Sequence, residues 1–196
     1  LVRWPGKIQP AVTDVVAMYC DISSTLVDIA GGKAPETDGK SLLPVLQGET
    51  SDHREHAYLV HQAGGYTQRA IRDKEFKLVW NPEREVDYYL DVLMKPNSGK
   101  FFAKVWREWQ EKAHTDPAAQ AKIDRVVKHP EFELYHIKND PWELSNLADN
   151  PEYAQKVREM HARLQADMEE LNDVFSTIDP KDCLLYTSDA ADETCR

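Results

Sequence analysis

One predicted hairpin carries the side chains best suited to binding chemistry. His61 and Gln62 precede the Gly64-Gly65 turn, and Tyr66 and Arg69 follow it. Arginine and histidine bind anionic groups through charge-assisted hydrogen bonds, and loops on a rigid scaffold often carry binding residues. The candidate substrate-binding residues are therefore His61, Gln62, Tyr66 and Arg69. The alternative is an ordinary polar hairpin tip.

A second pattern, His53-Arg54-Glu55-His56, places two imidazoles three residues apart. This spacing suits one helix face or one edge of a metal site. A closed zinc site needs about four ligands, however, and the sequence offers no evident third ligand. We predict a solvated loop here and no metal site. No G-x-S-x-G pattern occurs, so a serine nucleophile elbow is not predicted, and Gly31-Gly32 is interpreted as a turn.

The composition disfavours two classes of partner. The 196 residues carry 34 acidic and 24 basic side chains, a formal net charge of -10, without a basic stripe that could neutralise phosphates. No apolar run approaches the length of a membrane span. Nucleic-acid and membrane binding are therefore not expected. Two of the three cysteines lie near the C-terminus, and Cys20 is expected to be a small buried apolar residue.

Short runs rich in aromatic and β-branched residues predict a small antiparallel four-stranded sheet. Ala57 to Gln62, Tyr66 to Arg72 and Glu75 to Trp80 form a meander, and Phe132 to Ile137 adds the fourth strand. A long helix begins at Asn150-Pro151-Glu152. Its apolar stripe consists of Tyr153, Val157, Met160, Leu164 and Leu171. This helix packed across the sheet gives an α+β fold.

Two further helices are predicted between the third and fourth strands. The first carries an aromatic stripe that favours a core over a carbohydrate platform, formed by Phe101, Phe102, Val105, Trp106 and Trp109. The second is marked by Asp116-Pro117 and runs to about Lys128.

A different order of elements is predicted for the first fifty residues. Leu1 to Trp4 and Thr13 to Met18 are strand-like apolar runs. A helix follows with Asp21 as its N-cap and Gly31-Gly32 as its terminator. Its apolar positions at helical spacing are Ile22, Leu26 and Ile29.

The fourth strand is predicted to stop at Asn139-Asp140-Pro141, because proline has no N–H for a ladder. A helical turn is then predicted. Asp140 would cap this turn, and the Glu143 carboxylate would reach back to the N–H of the cap. This interpretation of the segment is architectural.

The run Phe132 to Leu147, FELYHIKNDPWELSNL, also carries a family resemblance. It is similar to E-L-Y-D-L-x-N-D-P-x-E-x-x-N-L-A in the C-terminal part of the type I sulfatases, within the alkaline phosphatase superfamily. The opening VRWPGK, the block Asp21 to Leu26 and the segment Asp38 to Leu42 resemble further family segments, although Ser24 stands where proline is usual. The resemblance is greatest to members like heparan N-sulfatase (N-sulfoglucosamine sulfohydrolase).

The resemblance implies three regions. Residues 1–50 would be the C-terminal remnant of a truncated catalytic α/β domain, and residues 51–182 the sulfatase C-terminal subdomain. Residues 183–196 are expected to be a disordered tail, because Cys183 to Glu193 resembles a translated sequencing adapter. In the family, loops of the subdomain help to wall the substrate cleft, where the hairpin candidates would contact sulfated sugars.

Type I sulfatases hydrolyse sulfate esters or sulfamates with a formylglycine made from Cys or Ser in a C/S-x-P-S-R context, beside a calcium ion. That pattern does not occur, and Cys20 is followed by Asp21-Ile22-Ser23-Ser24. The resemblance therefore implies calcium and formylglycine in the full-length parent, and no catalytic residue, metal ligand or cofactor in this chain. An N-terminal catalytic domain would be its missing partner. The parent would be periplasmic, extracellular or lysosomal.

Two alternatives remain open. A phosphonate or phosphate monoester hydrolase of the same superfamily shares the architecture, and the nucleophile segment would distinguish it. A non-catalytic α+β interaction module is the other alternative, which a longer reading frame upstream of Leu1 would eliminate.

Overall fold

A computed structural model of the chain describes residues 1–33, 36–63, 66–83, 85, 87–88 and 102–173. Phe101 and the tail 183–196, expected to be disordered, lie outside the described residues. In chain order the described elements are α1 (Tyr19–Ile29), α2 (Leu43–Leu46), β1 (Ala57–Ala63), β2 (Tyr66–Arg72), β3 (Lys77–Trp80), α3 (Phe102–Ala113), α4 (Pro117–Val127), β4 (Phe132–Tyr135), a 3₁₀ turn (Pro151–Tyr153) and α5 (Ala154–Glu170).

The four strands form one antiparallel sheet in the order β1-β2-β3-β4, which confirms the predicted sheet and its meander. The strand β3 begins at Lys77 rather than at Glu75. The reason is a side-chain cap, since the Asp73 carboxylate accepts hydrogen bonds from the N–H groups of Glu75 (2.8 Å) and Phe76 (2.6 Å) and holds both in the turn.

The chain after β4 forms a loop instead of the predicted helical turn. The strand ends at Tyr135, short of Ile137. Asp140 Oδ2 accepts a hydrogen bond from the N–H of Ser145, five residues on, at 2.8 Å. Glu143 adopts a φ of 54°, in the left-handed region. The predicted helical turn and the return bond by Glu143 are wrong, because a left-handed φ does not continue a helix and the Glu143 carboxylate bonds to Lys77 Nζ. The Asp140 carboxylate does accept backbone N–H bonds, but it closes a loop rather than a helix.

Helix α5 covers one face of the sheet, as predicted. The shared core consists of Ile71, Leu78, Leu134, Met160 and Leu164. Leu164 has no exposed surface and contacts the centre of this core. Leu171 is the C-cap residue of α5 and is 41% exposed, so its predicted place in the stripe is wrong.

A smaller core lies between α3 and α4, where Trp106 packs with Ile123. Asp116 is the N-cap of α4 and accepts a hydrogen bond from the N–H of Ala118 at 2.9 Å, which confirms the predicted helix start. Trp109 is 45% exposed. The aromatic stripe of α3 therefore contributes Trp106 to a core, but the same prediction is wrong for Trp109.

Helix α1 begins two residues before its predicted N-cap. Met18 is the N-cap, and its N–H donates to the Asp21 carboxylate at 2.8 Å, so the prediction of Asp21 as the cap is wrong. Ile22 and Leu26 are 49% and 61% exposed. The buried residues of this helix are instead polar: Asp21, Ser24 and Thr25.

The two strand-like runs before α1 form no strand in the described residues. Within the second run, Val16 forms an isolated antiparallel bridge with Arg54. Cys20 is half-buried rather than fully buried, with its Sγ 3.9 Å from an Asp21 oxygen. None of the helices in the described ranges has the length and apolar character that a membrane span requires.

Candidate functional site

The four candidate residues of the first hairpin do not converge on one site. Paired residues of antiparallel strands share a face, and neighbours along a strand alternate between faces. Gln62 and Arg69 therefore lie on the face that packs against α5. His61 and Tyr66 lie on the opposite face, which we call the open face. The substrate-binding role of the four residues remains a prediction.

Arg69 is held in a structural ion pair. Its side chain is largely buried, and Nε and Nη2 donate to Asp173 Oδ2 at 2.5 Å and Oδ1 at 2.8 Å. The Tyr58 hydroxyl donates to the same carboxylate. The hydrogen bond from Arg69 holds the pKa of Asp173 below its usual range. Arg69 thus joins the sheet to the residues that follow α5.

Tyr66 is fully buried on the open face. Its ring meets Tyr88 edge to face with 5.4 Å between centroids and lies 5.6 Å from the His129 ring. No residue of the described part accepts a hydrogen bond from its hydroxyl. Burial, with a smaller effect of the Glu133 charge, raises the pKa of Tyr66. The phenol therefore stays neutral at physiological pH.

The open face holds a cavity of about 480 Å³. Leu59, Ala70 and Val79 supply apolar lining. The polar lining side chains belong to His61, Gln68, Lys77, His129, Glu133 and Glu143. Of the four hairpin candidates, His61 is the one that lines this cavity, while Tyr66 is packed beside His129.

The floor of the cavity is a buried hydrogen-bond network around Glu133, which is 9% exposed. Its carboxylate accepts hydrogen bonds from Asn81 Nδ2 at 2.9 Å and the Tyr135 hydroxyl at 2.5 Å, and His129 Nδ1 lies 2.9 Å away. Gln68 Nε2 donates to Asn81 Oδ1 at 2.6 Å. Burial alone would raise the pKa of Glu133, but these hydrogen bonds, led by His129, hold that pKa below its usual range. The floor of the cavity therefore carries a charge, its polar groups are hydrogen-bonded, and the network makes it rigid.

The rim of the cavity is formed by the loop after β4. Lys77 Nζ donates to Glu143 Oε2 at 2.7 Å, which pins the residue with positive φ to β3. The neighbouring Trp142 lines the cavity and is 81% exposed. The sequence pattern identified this loop as architecture only, because neither Lys77 nor Trp142 belongs to a recognisable chemical motif.

A buried ionic cluster at Asp21 was missed by the sequence interpretation. The Asp21 carboxylate has no exposed surface, accepts from Arg54 Nε at 2.9 Å and from the N–H of Lys40 at 2.8 Å, and lies 3.0 Å from His53 Nε2. Burial raises its pKa, but the hydrogen bonds, led by Arg54, outweigh burial and hold the pKa of Asp21 well below its usual range. The only sequence signal was the family-like block that begins at Asp21.

The predicted solvated loop at His53 is wrong, because that imidazole is 5% exposed and bound to Asp21. His56 contacts a different element, with Nε2 2.7 Å from Asp167 Oδ2 on α5. The two imidazoles therefore do not face one ion. Across the described ranges, no three His, Cys, Asp or Glu side chains are grouped so that they could hold a metal.

Comparison with known proteins identifies the chain as the C-terminal portion of a type I sulfatase. Residues 1–100 match the family model described as N-sulphoglucosamine sulphohydrolase, C-terminal, and the chain belongs to this family.

Two curated relatives place the match within longer proteins. An ulvan-active sulfatase of Formosa agariphila is 35% identical over 159 residues, which cover 77% of this chain and 28% of that protein. The N-sulphoglucosamine sulphohydrolase of Homo sapiens is 22% identical over 204 residues, which cover 82% of this chain and 36% of that protein. The chain thus spans about a third or less of the length of these relatives.

A solved structure supports the fold. A protein in complex with its substrate, D-glucosamine-2-N,6-O-disulfate, superimposes with a TM-score of 0.51 at 22% identity, over 81% of this chain and 25% of that one. At this identity the comparison establishes a shared fold.

Proposed function

We propose that this chain is part of a sulfatase that hydrolyses sulfate esters or sulfamates of a sulfated carbohydrate. The observation that carries the proposal is the family match of residues 1–100. The names of the relatives support it, since one acts on ulvan and another is a sulphohydrolase of N-sulphoglucosamine. The parent would work in the periplasm, outside the cell or in the lysosome.

A sulfatase of this type relies on a formylglycine nucleophile and calcium, and the residues of this chain fit neither group. Cys20 lies in C-D-I-S-S rather than in C-x-P-S-R. The Asp21 carboxylate is bound by an arginine, and no suitable cluster of metal ligands occurs in the described part of the chain. We therefore assign both groups to the rest of the parent protein.

The role left to this chain is to shape the substrate cleft. His61 is the strongest of the four candidates, because it is exposed and lines the cavity on the open face. Tyr66 is fully buried on the same face and packs against His129, which lines the cavity. Arg69 is bound to Asp173, and Gln62 lies on the α5 face, so both are weaker candidates for substrate contact.

Activity assays test the proposal. The chain by itself is expected to hydrolyse neither 4-nitrophenyl sulfate nor glucosamine-2-N,6-O-disulfate above a buffer blank, because it has no nucleophile segment. A full-length protein that contains this chain is expected to hydrolyse at least one of them, and to prefer sulfates over 4-nitrophenyl phosphate and phenylphosphonate.

Turnover by the chain alone would contradict the assignment of the catalytic groups to the rest of the parent. A preference of the full-length protein for the phosphorus esters would instead favour the phosphate or phosphonate hydrolase. Absence of all four activities in the full-length protein would favour an interaction module.

A further inference from the structure

The cavity on the open face combines features that the hydrolysis of a sulfate ester does not require. It holds an exposed indole, Trp142, beside two ion pairs, Lys77–Glu143 and His129–Glu133. Its volume of about 480 Å³ falls within the range of roughly 300–1,000 Å³ that is usual for small-molecule sites.

The charges of the cavity are paired with each other. Lys77 Nζ is 2.7 Å from Glu143 Oε2, and His129 Nδ1 is 2.9 Å from Glu133 Oε1. A sulfate group would need donors in excess of acceptors, and the two carboxylates would repel it. A neutral hydroxylated ligand has no such conflict, because each hydroxyl both donates and accepts a hydrogen bond.

Suitable donors and acceptors remain at the cavity wall. Glu143 uses Oε2 for Lys77, and its carboxylate has a second oxygen. Gln68 uses Nε2 for Asn81, and its amide also has a carbonyl oxygen. His129 uses Nδ1 for Glu133, and its ring has a second nitrogen. These atoms can bond hydroxyl groups without disturbing the network that supports them.

The loop directly after Trp142 is held in place by its neighbours. Glu143 has a φ of 54° and binds Lys77, and the Arg125 guanidinium donates to the carbonyls of Glu143 and Leu144, the second at 2.9 Å. The indole is 81% exposed, and the two residues directly after it are bonded to β3 and α4. An aromatic side chain has only two torsions to order on binding, and the exposed face of the indole suits the apolar C–H face of a sugar.

We propose that this cavity is a subsite for an unsulfated sugar residue of the polysaccharide. The pyranose ring stacks on Trp142, and its hydroxyls bond to Glu143, Lys77, Gln68 and His129. The subsite rests on the proposed function only in the choice of a polysaccharide as the ligand. It selects a sugar residue that is not the one to be desulfated, so it sets which neighbouring sugars the parent enzyme accepts.

Titration of the chain with the neutral N-acetylglucosamine trisaccharide tests the subsite, with binding followed by calorimetry and by the indole N–H signals in NMR spectra. We expect the Trp142 signal to shift, and Trp142→Ala to weaken binding at least about tenfold, because the ring face on which the sugar stacks is lost. Trp142→Phe, which keeps a ring face, should restore part of the affinity. Glucosamine-2-N,6-O-disulfate should bind more weakly than the trisaccharide.

The matched control is Trp109→Ala, which removes another exposed tryptophan, on α3 and outside the cavity lining, and should leave the affinity unchanged. Because Trp142 is largely exposed, its removal should also leave the unfolding midpoint unchanged. Equal affinities of the unaltered chain and Trp142→Ala, tighter binding of the disulfate, or no binding of either probe would overturn the subsite.

The binding assay needs no turnover, so its outcome is independent of the sulfatase assay. In a full-length enzyme, Trp142→Ala should raise the KM for a polysaccharide, and Trp109→Ala should leave that KM unchanged. An enzyme without sulfatase activity would refute the proposed function but leave the binding result in place.

Discussion

Buried charges in this chain are bound by partners on different elements of the fold. Arg69 on β2 meets Asp173 after α5, and Asp21 on α1 meets Arg54 before β1. Desolvation of such a charge is costly, and it is offset only while both partners are present. Removal of one partner therefore costs more than the pair contributes, so each of these four positions is sensitive to a single substitution.

The Arg69–Asp173 pair gives the first test at this scale. Arg69→Met leaves the Asp173 carboxylate and the Tyr58 hydroxyl without the guanidinium, and should lower the free energy of unfolding by about 3 kcal/mol. Arg163→Met breaks the exposed pair with Glu55, in which the side chains are 52% and 84% exposed, and should cost no more than about 0.5 kcal/mol. Urea denaturation of both variants measures the difference. Equal losses would show that the buried pair contributes no more than a surface pair.

The Asp21 cluster predicts a pH dependence. The folded-state pKa of Asp21 is lowered, so its contribution is present above the unfolded pKa of about 4 and is lost as the pH falls toward the folded value. Asp21→Asn should lower the free energy of unfolding by about 3 kcal/mol at pH 7, because Arg54 loses its carboxylate. The difference between the two proteins should shrink below about pH 4. Denaturation at several pH values measures it, and a constant difference down to pH 2 would contradict the linkage.

At the scale of elements, the periodic sequence patterns predicted the helices and strands correctly where the buried face of the element is apolar. The spacing of Met160 and Leu164 on α5 and the short strands gave the sheet and its covering helix correctly, because one apolar face had to be buried. Helix α1 has the opposite arrangement, since its buried side is polar and is satisfied by residues far along the chain. Local spacing cannot indicate such long-range partners.

The conformation of the loop after β4 and the grouping of residues on the open face also depend on partners far along the chain, so the sequence pattern did not predict them. Asn146 Oδ1 accepts from the N–H of Leu134 at 2.8 Å and ties the loop to β4, an alternative to the helical turn that single-residue preferences do not reveal. The hairpin candidates were grouped by their distance along the chain, whereas strand alternation separates His61 from Arg69. Of the four candidates, His61 lines the cavity on the open face, and its role in substrate binding stays a prediction; no pattern in the sequence groups it with Lys77 and Trp142, which line the same cavity.

Packing of α5 on the sheet gives the prediction at this scale. Leu164→Ala removes methyl groups from a fully buried position and leaves a cavity, so it should lower the free energy of unfolding by about 2 to 5 kcal/mol. Glu159→Ala on the same helix is the control, because Glu159 is exposed, and it should cost no more than about 0.5 kcal/mol. Chemical denaturation of both variants measures the losses. Similar values would mean that the helix does not depend on Leu164 for its packing.

At the scale of the whole molecule, the apolar surface is unevenly distributed. Residues 1–33 contain exposed Leu1, Val2, Val12, Tyr19, Ile22 and Leu26, whereas the buried side of α1 is polar. Ile22 and Leu26 lie four residues apart on α1 and share one exposed apolar face, and an exposed apolar patch commonly marks an interaction site. The chain spans 28% of the length of the ulvan-active relative, so we expect the rest of the parent to cover this face.

The double substitution Ile22→Ser and Leu26→Ser tests that expectation. In the chain alone, these side chains are 49% and 61% exposed, so the substitution should change the free energy of unfolding by no more than about 1 kcal/mol and reduce binding of a hydrophobic dye. In a full-length protein, the same substitution should cost about 3 kcal/mol or more, because both side chains are then removed from an apolar contact.

Leu144→Ser, at a position that is 65% exposed on the loop after β4, is the control and should cost little in both proteins. Equal effects of the double substitution in the chain and in the full-length protein would show that the rest of the parent leaves this face of α1 in water.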